Sequence, residues 1–183
     1  MGLIIVLIAA VAALWAIFAY NQLIRHRNLV KEAESGIDVQ LKRRHDLIPN
    51  IVLTVQGYQR HERSTLEEVV KLRNQLQCPV PMKERPALES QLSRSLKSIF
   101  ALAEAYPDLK ANQNFLDLQK TLIEVEDQIQ MGRRYYNGTV RDYNVAVESF
   151  PGSLSAGNFG FKPAEFFEIE YATDRATPDV KFN

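Results

Sequence analysis

Three histidines, His26, His45 and His61, are the side chains of this 183-residue sequence best suited to holding a metal or passing a proton. Their spacing argues against both uses, because none sits in a His-x-x-x-His pair. His61-Glu62 opens like a zinc-protease helix, but Thr65 occupies the place of the second histidine. The expectation is therefore surface or partner-facing histidines and no metal. Glu104, Glu124 and Glu126 raise the question of paired carboxylates for acid–base work. Glu124 and Glu126 lie two apart on a predicted helix and point in different directions, so they make no site by themselves. Both flank Val125, where solvated charges are expected. Nucleotide and acyl-transfer motifs are missing as well. Gly157-Asn158-Phe159-Gly160-Phe161 lacks the strand–helix context of a phosphate loop, and there is no Gly-x-Ser-x-Gly. Asn137-Gly138-Thr139 matches a glycosylation acceptor but falls inside a predicted helix. No catalytic residue and no cofactor site are expected.

The sharpest polar cluster is Lys42-Arg43-Arg44 with Asp38 and Asp46. It suits anionic lipid headgroups or an acidic patch on a partner. It also suits pairing within the chain: Asp38 and Lys42 are an i, i+4 pair, and Arg43 or Arg44 can turn toward carboxylates on another helix. Arg133 and Arg134 pose the same choice. All four arginines stand as candidate interaction residues, with both readings open. Lys and Arg total 22, as do Asp and Glu, so the net charge is zero and a nucleic-acid partner is not expected. Cys78 is the single cysteine, so no disulfide forms within the chain and stability must come from packing.

The elements that position these residues begin with a membrane segment. Residues 3–20 carry no charge and no strongly polar side chain, and make roughly 27 Å of helix, close to the hydrocarbon thickness of a bilayer. Trp15 and Tyr20 sit toward the end of the run, as interfacial aromatics do. A cleaved signal peptide needs a basic start and a small-x-small exit. Met1-Gly2 is not basic, and Ile17-Phe18-Ala19-Tyr20-Asn21 is bulky. Arg25, Arg27 and Lys31 follow the span, with Lys42, Arg43 and Arg44 beyond. That bias orients a single-pass protein with its N-terminus out and its C-terminal domain cytoplasmic.

Beyond the span the period is helical. Leu23, Val30, Ile37 and Leu41 share a face, and Ile51, Val55, Tyr58, Val69, Leu72 and Leu76 continue an apolar stripe. Pro49 makes residues 46–50 either a turn between helices or a kink in one helix. Cys78-Pro79-Val80-Pro81 ends this stretch. A further helix begins near Pro86, with Leu88, Leu92, Leu96, Ile99 and Leu102 on one face, and closes at Pro107. Then Phe115, Leu122, Ile129, Tyr136, Tyr143 and Phe150 recur at sevens, with Leu118, Val125, Gly132, Thr139 and Ala146 at sevens between them. This is a coiled-coil-like register over five heptads. Gly132 suits a close helix approach. After Pro151-Gly152 the composition shifts, and Phe159, Phe161, Phe166, Phe167 and Phe182 are too many rings for an unstructured tail. Short strands, such as at Glu168-Ile169-Glu170-Tyr171, or an extended strap would dock them on the same chain or a neighbour. The division expected is anchor 1–20, helical bundle 21–150 and extended tail 151–183.

Several stretches resemble the LemA family. They are Ile37-Asp38-Val39-Gln40-Leu41-Lys42-Arg43-Arg44-His45-Asp46-Leu47-Ile48-Pro49-Asn50, Gly57-Tyr58-Gln59-Arg60-His61-Glu62 and Ala103-Glu104-Ala105-Tyr106-Pro107-Asp108-Leu109-Lys110-Ala111. Asn114-Phe115, Tyr136-Asn137 and Phe150-Pro151 follow in the same order. One departure is Glu34 before Ser35, where the family usually has Trp. The resemblance implies an all-α fold, a membrane-anchored, up-and-down antiparallel bundle of four helices, and no agreed biochemical activity. The functional expectation is a scaffold or adaptor that binds membrane or cytoplasmic proteins, or its own copies as a homo-oligomer, through helix faces and the rings at Phe159, Phe161, Phe166 and Phe167. A membrane-remodelling or anionic-lipid-sensing protein, acting through basic residues 25–44, is the alternative. A hydrolase with an unrecognised site is the third reading.

Overall fold

A computed structural model of the chain describes residues 1–57, 63–81 and 84–167. Within them the chain is all-α. The helices are α1 (Gly2–Gln56), α2 (Arg63–Gln77), α3 (Arg85–Ala103), α4 (Pro107–Lys110), α5 (Gln113–Glu148) and α6 (Gly152–Phe159). They form two compact units, Met1–Lys42 with Asp127–Phe167, and a second around Arg43–Glu126.

In the first unit the early turns of α1 are apolar on every side and almost wholly exposed, and only 6% of the most apolar 18-residue window is buried. A helix with that surface is not the core helix of a soluble protein; it is long and apolar enough to cross a membrane. The same helix continues without a break, and Ala19, Leu23, Val30, Ala33 and Ile37 are buried. Tyr20, at the end of the apolar run, packs against the rings of Phe159 and Phe161 at 4.9 and 5.7 Å. The residues where a signal peptide would be cleaved are therefore part of the folded unit.

On α5 the row at sevens holds: Phe115, Leu122, Ile129, Tyr136 and Tyr143 are all buried, while Phe150, past the helix end, is exposed. The second row does not hold throughout. Val125 is buried as expected, but further along Val140 and Val147 are the buried residues, with Thr139 and Ala146 half-buried. An α-helix advances 3.6 residues per turn, so a seven-residue repeat drifts by about 20° per heptad unless the helices supercoil. The buried stripe moves over by one residue accordingly. Gly132 faces α1, where an added Cβ would lie 3.1 Å from Ile37 Cγ1, the close approach anticipated for it.

The region expected as an extended tail begins instead with a helix, α6. Its end is set by Gly160, which takes the left-handed conformation (φ 71°) and donates its N–H to Ala156 O. That is the usual glycine C-cap, a conformation other residues adopt only with strain. At the other end, a Cβ on Gly152 would fall 1.9 Å from the Ala146 carbonyl oxygen, so the corner between α5 and α6 admits only glycine without rearrangement. Residues 161–167 then run without helix or strand along α5. Asn144 clasps Ala164, its amide donating to Ala164 O (2.9 Å) and its oxygen accepting from Ala164 N (2.8 Å). Asn137, one heptad earlier, holds Phe167 in the same way at 3.3 and 2.8 Å. Between them the Tyr136 hydroxyl donates to Glu165 O at 3.0 Å. The strap docks on its own chain as far as Phe167; Glu168-Ile169-Glu170-Tyr171 and Phe182 lie outside the described residues.

The second unit packs Ile48, Ile51 and Val55 of α1 with residues of α2, α3 and α5, among them Val69, Leu92, Ile99 and Phe115. Pro86 stands in the first turn of α3 and Pro107 opens α4, both positions where a missing N–H costs no helix bond. Asn112 caps α5, its Oδ1 accepting from Phe115 N at 3.1 Å. Pro49 lies inside α1, which runs on to Gln56, so the chain does not turn there. The proline removes the amide that would bond to the carbonyl of His45, four residues back. Arg73 of α2 supplies a donor in its place, Nε to His45 O at 2.9 Å.

Candidate functional site

The most elaborate polar arrangement is buried in the second unit around Arg44, whose side chain is fully enclosed. From α1 its guanidinium reaches two helices. One nitrogen donates to Ser93 Oγ of α3 at 2.5 Å and to Glu126 Oε1 of α5 at 2.6 Å. The other pairs with the carboxylate of Glu89 on α3, also fully enclosed, and lies 3.4 Å from the Glu89 carbonyl. Ser93 in turn donates to Glu126 Oε2 at 3.0 Å. His45, next to Arg44 in sequence, places Nε2 3.3 Å from Glu89 Oε2. Burial pushes the Glu89 carboxyl up, but the hydrogen bond from His45 and the charge of Arg44 outweigh it and hold the group below the usual carboxylate range.

This chemistry is that of a bridge, not a catalyst. Glu89 is held ionised, so it has no proton to give at neutral pH, and Glu126 is tied to both Ser93 and Arg44. Glu89 Oε1 and Arg44 Nε have no hydrogen-bond partner among the described residues. Among the described residues no group of three or more His, Cys, Asp or Glu side chains is placed to hold a metal ion; His61 lies outside them. A cavity of about 240 Å³ in the first unit is lined by His26 and Asp142, with Leu23, Ala146 and Gly152 among its walls.

The network answers several sequence expectations. For Arg44 the intrachain alternative holds, while Arg43 is exposed. Glu126, expected as a solvated flank of Val125, is instead half-buried in the network, because Arg44 brings a charge to meet it. His45, expected at the surface, is 8% exposed. Glu89 drew no notice in the sequence, yet the signal was there. Glu89, Leu92, Leu96 and Ile99 recur at three and four, so the glutamate lies within the apolar stripe of α3, where an unpaired charge would be prohibitive.

The remaining candidates lie in the first unit. Arg134 is exposed, whereas Arg133 is half-buried with its guanidinium 4.9 Å from the Phe167 ring centre. Phe161 and Phe167 are buried, the first under Arg27 (5.2 Å) and the second against Tyr136 (6.4 Å). Phe159 and Phe166 remain exposed. Burial raises the Tyr136 hydroxyl above its ordinary pKa, with the charges of Glu34 and Glu165 adding to it, so the phenol stays a donor to the strap.

Comparison with known proteins adds the following. Residues 33–182 match the LemA family. The chain is 29% identical over 135 residues to Protein LemA of Metamycoplasma hominis, a match covering 73% of this chain and 58% of that protein. It is 31% identical over 80 residues to Magnetosome protein MamQ 2 of Paramagnetospirillum magneticum, covering 44% of this chain and 29% of the relative. Magnetosome protein MamQ of Magnetospirillum gryphiswaldense is 30% identical over 88 residues, 47% of this chain and 32% of that protein. The matched region spans little more than half of the first relative and about a third or less of the other two.

Proposed function

This chain belongs to the LemA family, and from that premise we propose that it is a membrane-anchored helical scaffold that assembles with copies of itself. Residues 3–20 anchor it in the bacterial inner membrane with the helical domain on the cytoplasmic side, the arrangement the basic residues after the span favour. No catalytic role is assigned to it. The observation that carries the reading is a set of three exposed apolar side chains on one side of α5. In the first unit Met131, Tyr135 and Val145 are exposed by 52%, 53% and 55%. Tyr135 lies one turn beyond Met131 and Val145 about four turns beyond it. All three lie away from the buried row of Ile129, Tyr136 and Tyr143. Single exposed hydrophobes are ordinary, but three on the same side of one helix give a second copy apolar side chains to pack against.

The test is particle mass in mild detergent for the full chain and for Met131→Glu/Tyr135→Glu. The intact chain should be larger than a monomer, and the double variant should fall toward monomer while keeping its helix content. A monomer at every concentration for the intact chain would refute self-assembly, and an unchanged mass in the variant would refute this face. The lipid-sensing alternative loses Arg44, which the Glu89 and Glu126 carboxylates already occupy.

A further inference from the structure

We propose that the corner after α5 and helix α6 form a collar around α1 that sits in the bilayer leaflet, at the boundary between acyl chains and headgroups. The proposal rests on the membrane-spanning reading of residues 3–20 and goes beyond it, because it puts a second, distant segment of the chain into the membrane.

Depth can be read from the contacts. The ring of Phe150 packs on Trp15 with centroids 5.8 Å apart. Trp15 lies five residues before Tyr20, so Phe150 meets the apolar run roughly 7.5 Å inside its polar end. With Leu7, Ile8, Val11, Ala12 and Trp15 it lines an open, apolar surface along the span. One step outward, Phe159 packs on Tyr20 at 4.9 Å. Further out, Phe161 lies between Tyr20 at 5.7 Å and the guanidinium of Arg27 at 5.2 Å. Arg27 is seven residues past Tyr20, roughly 10 Å along the helix. The second segment is thus graded like a leaflet: a bare ring at hydrocarbon depth, rings against a tyrosine at the interface, and a cation at headgroup level.

The collar's outer surface fits the same medium. Phe150, Leu154 and Phe159 are exposed by 75%, 58% and 64%. From Ser149 to Phe161 there is no charged residue, and charges resume on either side at Glu148 and Lys162. In water these side chains would form an apolar rim around the emerging helix. A short uncharged helix with apolar side chains outward is instead at home in the interface.

Tryptophan depth measurement tests this on the full chain in phosphatidylcholine/phosphatidylglycerol vesicles whose acyl chains carry bromine near the headgroup. Trp15 is the chain's own tryptophan and reports the span. Trp15→Phe/Leu154→Trp and Trp15→Phe/Phe159→Trp report the collar at two exposed positions that accept a larger ring. Trp15→Phe/Met131→Trp is the control away from the collar. The expected result is bromine quenching at 154 and 159 comparable to that of Trp15, with none at 131. Quenching of Trp15 but not of 154 or 159 would overturn the collar and leave the span standing. A blue-shifted but unquenched tryptophan at 154 and 159 would mean that a second copy covers the surface, which also overturns it. Absence of quenching at Trp15 itself would sink the span, and the collar with it.

Discussion

Replacing Arg73 by methionine should destabilise the protein through a carbonyl that belongs to a different helix. Pro49 stands inside α1 and has no amide hydrogen, so the carbonyl of His45 loses its helical donor. Arg73 Nε occupies that place at 2.9 Å. His45 is only 8% exposed, so water is a poor substitute. An unsatisfied buried acceptor costs about 1–3 kcal/mol, and a charged donor belongs toward the upper half of that range. Taking about 2 kcal/mol, and about 2–4 °C of Tm per kcal/mol for a chain of this size, Arg73→Met should lower Tm by roughly 4–8 °C. The decisive comparison is the same substitution in a Pro49→Ala background. Alanine restores an N–H aimed at the His45 carbonyl, so the loss should shrink to the packing of the arginine stem, below about 0.5 kcal/mol. The coupling between the two sites is then about 1.5 kcal/mol. Far-UV circular dichroism melts of the four proteins in one detergent measure it. Equal losses in both backgrounds would refute the argument, because Arg73 would then be acting on something other than the missing amide.

Three further outcomes follow from the packing. Glu89→Leu leaves Arg44 enclosed with one carboxylate fewer and should cost about 3–5 kcal/mol, while Arg44→Met/Glu89→Leu should recover most of the loss, read from the same melts. Glu89 is held below its ordinary value of 4.5, so its contribution is complete above that pH and is lost as pH falls through the lower folded value; Glu89→Gln should flatten this acid limb in melts taken across acidic pH. Asn144→Ala removes both bonds to Ala164 and should speed hydrogen exchange of the Ala164 amide by about tenfold or more. The Phe167 amide, held by Asn137, should change less, and equal loss at both would show that the strap is not clasped site by site.

Much of this fold is legible in the sequence because its helices are long and several are bounded by prolines. Pro86 and Pro107 mark starts, and the row from Phe115 to Tyr143 is buried at every position. What fails is instructive. The second row on α5 follows sevens only as far as Gly132, since the true period is 3.6 and drift accumulates along a helix of 36 residues. Helix α6 carries four serines and glycines against two strong helix formers, Leu154 and Ala156, and its existence depends on the Gly160 cap and the surface beneath it rather than on propensity. Whether Pro49 turns or stays helical was open because the deciding group, Arg73, comes from 24 residues later. The buried network hides for the same reason. Arg44 stands among exposed basic neighbours and Glu89 among leucines, and neither looks like half of a pair until α1 and α3 are side by side.

Why an otherwise apolar helical core should contain that network is a question of energetics. A buried ion pair stabilises a fold no more than well-packed hydrophobes of similar volume, and often less. This one leaves Glu89 Oε1 and Arg44 Nε without a partner among the described residues, which adds to its cost. What leucines could not supply is position. The surrounding residues, Leu92, Leu96, Ile99 and Leu122, are near-equivalent knobs that would pack almost as well one turn away. Arg44 has no such latitude: it must meet Glu89 and Ser93 on α3 and Glu126 on α5 at once, and a slip of either helix strands a charge in the core. Polar groups at single core positions are known to specify helix register at a cost in stability. Arg44 is the residue of this unit with the partners to do so, since it ties three helices with one side chain. On this reading Arg44→Met/Glu89→Leu keeps its stability and loses its singular packing, so that loss of sharp side-chain resonances without a fall in Tm is its mark.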